Sequence, residues 1–420
     1  MSSDWPLKRL VDCCEKIGSG ATPRGGKETY FDYGPVKLIR SQNVHNDGFS
    51  ADGLAFISNE QAAKLSNVSV QENDVLLNIT GDSVARVCQA GKELLPARVN
   101  QHVAIIRPKK TEIDAGFLRY FLASPAQQDY MLSLASAGAT RNALTKGMIE
   151  DFQIPCPPVN LQHSIAKVLS VIDDRITLLR ETNTTLEATG KGLFKSWFVD
   201  FDPVRAKCDG KLPEGMDAAT AALFPDAFEE KELGMVPSGW RIQKFEDFIH
   251  RISVGKKFDQ KSALACGAVP ILDQGKSGII GFHNVAPSIK ANLDTPVVVF
   301  ANHTCYMRLI CFDFSVIQNV LPFIGKGVDT VWTFFATKDR IKLTEYKGHW
   351  PDFAIEKAVV PTIELTEAFR KAMDPLIRRS RINDLQAETL ANIRDTLLPR
   401  LISGQLRLPD AEEQIEAATV

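Results

Sequence analysis

The sequence predicts an α+β chain with a two-fold internal plan: a mixed α/β region, a long helix, a second mixed region and a second long helix. Three observations lead there: two heptad-patterned segments, short apolar runs punctuated by Gly, Asn and Asp, and matched landmarks in the two halves. A chain of 420 residues exceeds one ordinary core and suits two domains of roughly 100–200 residues with connectors.

The landmarks give the repeat its dimensions. Trp5 in Asp4-Trp5-Pro6-Leu7 and Trp240 in Pro237-Ser238-Gly239-Trp240 lie 235 residues apart. The helical segments align at an offset of 204, setting Leu186 on Leu390, Leu193 on Leu397 and Trp197 on Leu401. The second mixed region is therefore expected to be about 31 residues shorter than the first.

The first helix is expected from about Val159 to Val199, after Pro157-Pro158, with Asn160 as its N-cap. Ile165, Ile172, Leu179, Leu186 and Leu193 at heptad position d, with Leu169, Ile176, Asn183, Gly190 and Trp197 at a, form a coiled-coil seam. Asn183 favours one register and Gly190 permits close approach of a partner backbone. An amphipathic helix packed on its own domain is the alternative. The second helix is expected from about Thr366 to Ser403, with Phe369, Leu376, Asn383, Leu390 and Leu397 at d and Met373, Ser380, Ala387, Arg394 and Leu401 at a. Asp374-Pro375 should kink or delay it, because proline removes a donor and restricts its predecessor. Helices of about 40 residues would be about 60 Å long, the length of spacers.

Strands are expected at Val36–Arg40, Val75–Ile79, Val103–Arg107, Val297–Ala301 and Val331–Phe335. Their apolar runs are continuous, so both faces should be covered.

A composition of 44% hydrophobic and 24% charged residues belongs to a globular protein. Met1–Leu10 has no apolar leader core and no stretch reaches the ~18 apolar residues of a membrane span, so a cytoplasmic location is expected. The eight cysteines (Cys13, Cys14, Cys88, Cys156, Cys208, Cys266, Cys305 and Cys311) are scattered without zinc-site spacing and read as reduced thiols. The net charge of −2 is uneven: residues 200–232 carry −5 and 409–420 carry −4, which leaves +7 on the remainder. Arg98–Thr111 alone holds four positive charges and no negative one, as a binding surface or as a solvated strand end.

Motifs for chemistry fail one by one. Around Gly26-Lys27, Ala21 and Glu28 break the phosphate-binding loop pattern. Gly18-Ser19-Gly20 meets Pro23 where a dinucleotide fingerprint needs its third glycine. Pro225-Asp226 and Glu229-Glu230-Lys231 resemble a nuclease triad but crowd into the acidic segment. Pro155-Cys156-Pro157-Pro158 contains the Pro-Cys pair of cytosine methyltransferases, yet it leads straight into a helix and reads as a rigid corner. No nucleophile elbow is present and the seven histidines are isolated.

Three segments in combination resemble the specificity subunits of type I restriction-modification enzymes: Leu193–Val204, Leu397–Gly404, and Ile154–Pro158 continuing through Gln162 to Ile165-Ala166. Gly18–Pro23 and Gly278–Phe282 are similar to elements of that family's target-recognition domains. The resemblance implies two mixed α/β target-recognition domains separated by two long helices that pair as an antiparallel coiled coil, a pseudo-two-fold internal repeat. The expected segments are 1–157, first recognition domain; 158–200, first spacer helix; 201–236, acidic linker; 237–361, second recognition domain; 362–404, second spacer helix; and 405–420, acidic tail. Each domain would read one half of a bipartite, asymmetric DNA site while the helices set the gap. The chain itself would hold no catalytic residue, metal or cofactor. S-adenosylmethionine, ATP and magnesium are implied for two modification subunits, which methylate adenine N6, and two restriction subunits.

Within Gly-flanked loops, side chains able to meet base edges or phosphates are Thr22, Arg24, Lys27, Arg40, Gln42, Asn43, Arg98, Asn100, Gln101, Thr140, Arg141 and Asn142 in the first domain. In the second they are Lys256, Lys257, Gln274, Lys276, His283, Asn302, His303, Arg308, Asn319 and Lys326. For each, a turn-stabilising or solvated role is the alternative. Expected partner contacts are Ile172, Ile176, Leu179, Asn183, Leu186, Leu193, Trp197, Phe198, Leu390, Leu397 and Leu401. Exposure of Trp197 and Phe198 would make the isolated chain self-associate. Two rival readings stay open: a coiled-coil scaffold whose variable domains bind protein, and a cryptic DNA-modifying enzyme.

Overall fold

The computed structural model describes residues 5–136, 142–275, 278–343, 345 and 347–419. The chain divides into two compact units, Met1–Leu178 with Gln386–Val420, and Leu179–Leu385.

In the first unit, Val103–Pro108 lies between Cys14–Ser19 and Val75–Asn78, and Val87–Gln89 completes an antiparallel four-stranded sheet. Val75, Leu76 and Leu77 and the run Val103–Ile106 are almost wholly buried, as the apolar runs demand. A second sheet sets Val36–Ile39 antiparallel to Ala55–Ile57 and parallel to Ala97–Val99. Leu7–Arg9 pairs with Gln153–Pro155, which leads into the first long helix.

The second unit carries the same sheet plan. Its four-stranded sheet runs Ile249–Arg251, Val320–Gly325, Val297–Ala301, Met307–Ile310. Val269–Leu272 is antiparallel to Ile279–His283 and parallel to Ser315-Val316, and Arg241–Lys244 pairs with Lys357–Val360 ahead of the second long helix. Part of the length difference lies after the central strand. The first unit has helices Ala115–Ala123 and Pro125–Ser136 there, and the second has Thr330–Thr337.

That last helix corrects the strand expected at Val331–Phe335. A short apolar run does not distinguish the two states, and Asp329 decides it by accepting from the Val331 and Trp332 amides as an N-cap. The long helices span Val159–Phe198 and Ile363–Ile402, starts that differ by the 204 residues of the sequence offset. The Pro158 carbonyl accepts from the Leu161 and Gln162 amides, so Asn160 is inside the first turn and is not the cap. Pro375 neither delays nor ends the second helix, which starts twelve residues before it.

Residues 201–236, expected as a linker, contribute Phe201, Val204 and Phe224 to the second unit's core. The acidic tail includes a helix at Leu408–Thr419, and Leu406 and Ala411 are buried. Among the described residues, no helix is long and apolar enough to cross a membrane.

The seam residues are covered by their own units. Leu169, Ile172 and Ile176 are buried in the first, as are Leu390, Leu397 and Leu401; Leu179 is buried in the second. Trp197 and Phe198 are each only 5% exposed, packed edge-on against Phe369 in a cluster with Phe194 and Trp332. This overturns their expected role as exposed partner contacts. Gly190 admits the Met373 methyl and the Phe335 ring, not a backbone: a Cβ there would lie 2.4 Å from Met373 Cε and 3.0 Å from Phe335 Cζ.

Polar links interrupt the seam. In the first unit Asp173 accepts from Arg394 Nη1 at 2.7 Å, Arg119 Nη1 at 2.8 Å and the Tyr120 hydroxyl at 2.7 Å. Burial alone would raise the Asp173 pKa, but the Arg119 charge and the three donors outweigh it and hold the carboxyl below its ordinary value. In the second unit Asn383 donates to Asn183 Oδ1 at 2.8 Å, and Asn183 donates to the Ser380 carbonyl and Asp384.

Asp173→Ala would strip Arg119 of its anion and leave Arg394 with Asp395 alone, and should cost about 3–5 kcal/mol in urea unfolding of the full chain. A folded-state pKa below the unfolded one means that this contribution is present above about pH 4 and lost as pH falls through the folded value. The gap between wild type and variant should therefore close under acid; a gap independent of pH would contradict the charge network.

Candidate nucleic-acid interface

The loops carrying most of the expected site residues emerge at one end of each unit's sheets, where backbone bonds join them into a rim. In the first unit, Ala21 N–H donates to Val99 O, Asn100 to Ile39, Ile79 to His102 and Leu144 to Ile79, at 2.8–3.0 Å. In the second unit, Phe258 donates to Val316, Ile317 to Leu272, Asn302 to Asn319 and His349 to Asn302, at 2.9–3.1 Å. These are the same four links between corresponding loops. Gly20 makes the first possible, since a Cβ there would lie 2.2 Å from the carbonyl oxygens of Val99 and Asn100.

Side chains on the first rim differ in what holds them. Arg24 and Gln101 are exposed, with Gln101 Nε2 3.1 Å from His102 Nε2. Arg40, Gln42 and Asn43 converge on one loop of their own chain. Arg40 binds the Gly53 carbonyl and lies over the Tyr30 ring at 5.6 Å. Gln42 donates to Gly53 O at 3.2 Å, and buried Asn43 donates to Ser50 O at 2.9 Å and Asp52 O at 3.2 Å. Asn100 is buried and accepts from the His102 amide. Thr22 has its hydroxyl buried in the loop after Gly20. Asn142 is exposed and its carbonyl accepts from the Gly81 amide. Arg98 turns away from the rim and donates to Ala62 O at 3.1 Å. Thr140, Arg141 and the Lys27 side chain lie outside the described residues.

On the second rim Lys256 and Lys257 are exposed, and Lys256 Nζ stands 5.0 Å from the centroid of Phe258. Phe258 stacks on His283 at 4.1 Å, and His283 is buried with Nε2 2.8 Å from Ser315 Oγ. Burial, then the Lys256 charge, lowers the His283 pKa, so a neutral ring serves as the floor of this stack. Gln274 Oε1 accepts from the His303 amide and Asn302 Oδ1 from the Trp350 amide. Asn319 holds a left-handed conformation, φ 66°, at the turn before the central strand. Arg308 donates to Gly278 O at 2.9 Å, and burial lowers its pKa. Lys276 lies outside the described residues. Lys326 follows Gly325 at the opposite end of the sheet, its amide bonded to Phe248 O, so it does not join the rim.

Thr80 and His102, bonded at 2.6 Å between Thr80 Oγ1 and His102 Nδ1, belong to the first rim and escaped sequence reasoning. Each is one residue past a segment already read, Val75–Ile79 in one case and Asn100-Gln101 in the other. Among the described residues, no group of three His, Cys, Asp or Glu side chains is placed to hold a metal.

The same sheet plan and the same set of backbone links thus occur once in each unit. Residues 2–188 match the family model described as the type I restriction modification DNA specificity domain. The chain is 23% identical to the type I restriction enzyme MjaIX specificity subunit of Methanocaldococcus jannaschii, covering 97% of this chain and 94% of that one. It is also 23% identical to the HindI specificity subunit of Haemophilus influenzae, over 96% of this chain and all of that one. The crystal structure of a type I S subunit from M. genitalium shares the fold, with a TM-score of 0.53 at 16% identity, covering 95% of this chain and 96% of that one. Over nearly its whole length the chain is thus similar to specificity subunits of type I restriction-modification systems.

Rim substitutions should separate into two groups. Arg24→Ala and Gln101→Ala should change DNA retention and leave the melting temperature unchanged. Asn43→Ala, which removes a buried side chain and its bonds to the backbone of Arg40, Ser50 and Asp52, should destabilise by about 1–3 kcal/mol. Equal melting temperatures for all three would contradict the hydrogen-bond assignment.

Proposed function

We propose that this chain gives a type I restriction-modification enzyme its DNA sequence specificity, each unit reading one half of a bipartite, asymmetric site through its rim. The observation that carries this reading is the four matched backbone links. They hold corresponding loops in both units while the side chains on them differ, as two readers of different half-sites require. Exposed groups such as Arg24, Gln101, Lys256 and Lys257 would meet base edges, which select sequence, or phosphates, which set position.

The long helices, on this reading, pair as an antiparallel coiled coil, give the chain its pseudo-two-fold repeat, set the gap between half-sites and carry the modification subunits. Pairing is supported within each unit, and its antiparallel sense in the second. Asp173 meets Arg394 in one, and in the other Asn183 meets Asn383 while Gly190, further along, meets Met373. Catalysis lies elsewhere: adenine N6 methylation with S-adenosylmethionine in two modification subunits, ATP- and magnesium-dependent cleavage in two restriction subunits. The protein works in the cytoplasm, beside the DNA.

Methylation mapping of the assembled enzyme tests the division of labour. Arg24→Ala or Gln101→Ala should weaken or relax selection in one half-site only, and Lys256→Ala or Lys257→Ala in the other, by about 1–3 kcal/mol where a base contact is lost. Either pair altering both half-sites together would contradict two independent readers.

A further inference from the structure

The corner joining strand to long helix is built twice with different residues. What repeats is a fully buried polar side chain one turn into each helix, Gln162 in the first and Thr366 in the second, again 204 residues apart. Gln162 Oε1 accepts from the Asp114 amide at 2.9 Å, and its Nε2 donates to Pro157 O at 2.8 Å and Glu112 O at 3.3 Å. Thr366 Oγ1 accepts from the Asp329 amide at 3.0 Å and donates to Ile363 O at 2.7 Å.

Asp114 and Asp329 are themselves equivalent. Each caps the helix that follows its unit's central strand, Asp114 through the Phe117 amide and Asp329 through the Val331 and Trp332 amides. An amide and a hydroxyl, unlike in size and chemistry, thus make the same bond to the backbone of the same cap. Helix stability does not require either, because both helices already begin on a proline-containing corner, Pro157-Pro158 in one case and Pro361 in the other. What the bond adds is a fixed direction between the helix and the unit it leaves.

That direction matters through leverage. The first helix continues for about 20 residues, or about 30 Å, beyond the unit in which it starts, so a slack of about 5° in its direction moves its other end by about 3 Å. One base pair occupies about 3.4 Å along DNA. We propose that Gln162 and Thr366 are positioning residues that fix the direction in which each long helix leaves its reading unit, and thereby hold the recognised gap to a single length. This rests on the reading of the helices as gap-setting elements.

The test uses the full chain assembled with its modification subunits and a set of duplexes with both half-sites constant and the gap varied by single base pairs. Thr366→Val keeps the shape and removes the hydroxyl, Gln162→Met removes the amide at similar length, and Thr366→Ser restores the bond. Preference for the native gap over gaps one base pair longer or shorter should fall about three- to tenfold in Thr366→Val and Gln162→Met, the factor of one buried hydrogen bond. Thr366→Ser should keep wild-type selectivity. Unchanged gap preference in the folded variants, or lower methylation at all gaps in equal proportion with a lower melting temperature, would make both residues merely structural and overturn the proposal. A wild-type enzyme that methylates all gap lengths alike would instead overturn the gap-setting reading beneath it.

Discussion

A 40-residue helix with an apolar stripe has to cover that stripe, and much of this structure follows from how it is covered. Each long helix contributes to both compact units, and in each unit the stripe is buried by residues of the same chain. In the first unit Leu169, Ile172 and Ile176 are sealed where Leu390, Leu397 and Leu401 are also sealed. In the second, Trp197, Phe198, Phe369 and Met373 join one aromatic core. The hydrophobic effect supplies the association but is indifferent to register. Register comes from Asp173 with its two arginines and from the paired asparagines, which lose their partners if the helices slide.

Covering the stripe internally also decides what is left outside. The exposed apolar side chains of the long helices are Val171, Leu178, Ile363, Ile382 and Leu385, not the tryptophan and phenylalanine that the heptad reading exposed. Of these, Leu178 and Ile382 occupy equivalent positions at the offset of 204. The bonded corners at Gln162 and Thr366 transmit the same logic from helix to reading unit: a recognition surface is useful only if its orientation is fixed by the element that carries it.

The helices were legible because a heptad pattern over four or more repeats marks a long helix whether it pairs with another or packs on its own domain, and even their starts fall at the offset read from leucines and tryptophan. Pro375 misled because its penalty is local, whereas packing of Phe369, Met373 and Leu376 on either side favours a continuous helix. Val331–Phe335 misled because a five-residue apolar run carries no period, and the Asp329 cap ahead of it was the signal to weigh. The rims were legible as loops rich in Arg, Lys, Asn and Gln. Which of those side chains face outward was not, since Asn43, Asn302 and Arg98 hold backbone groups between 7 and 48 residues away. The repeated backbone links were beyond reach for the same reason: they depend on pairing, not on residue type.

The central claim is that the paired helices set the distance between two fixed readers. It is tested most directly by inserting four residues after Leu178 in the first helix and four after Leu385 in the second, then mapping methylation by the assembled enzyme. Four residues add about 6 Å and close to one helical turn, so the seam keeps its face, and the length corresponds to about two base pairs. The account predicts unchanged half-sites separated by a gap about two base pairs longer. An enzyme that assembles and methylates the original gap would contradict it.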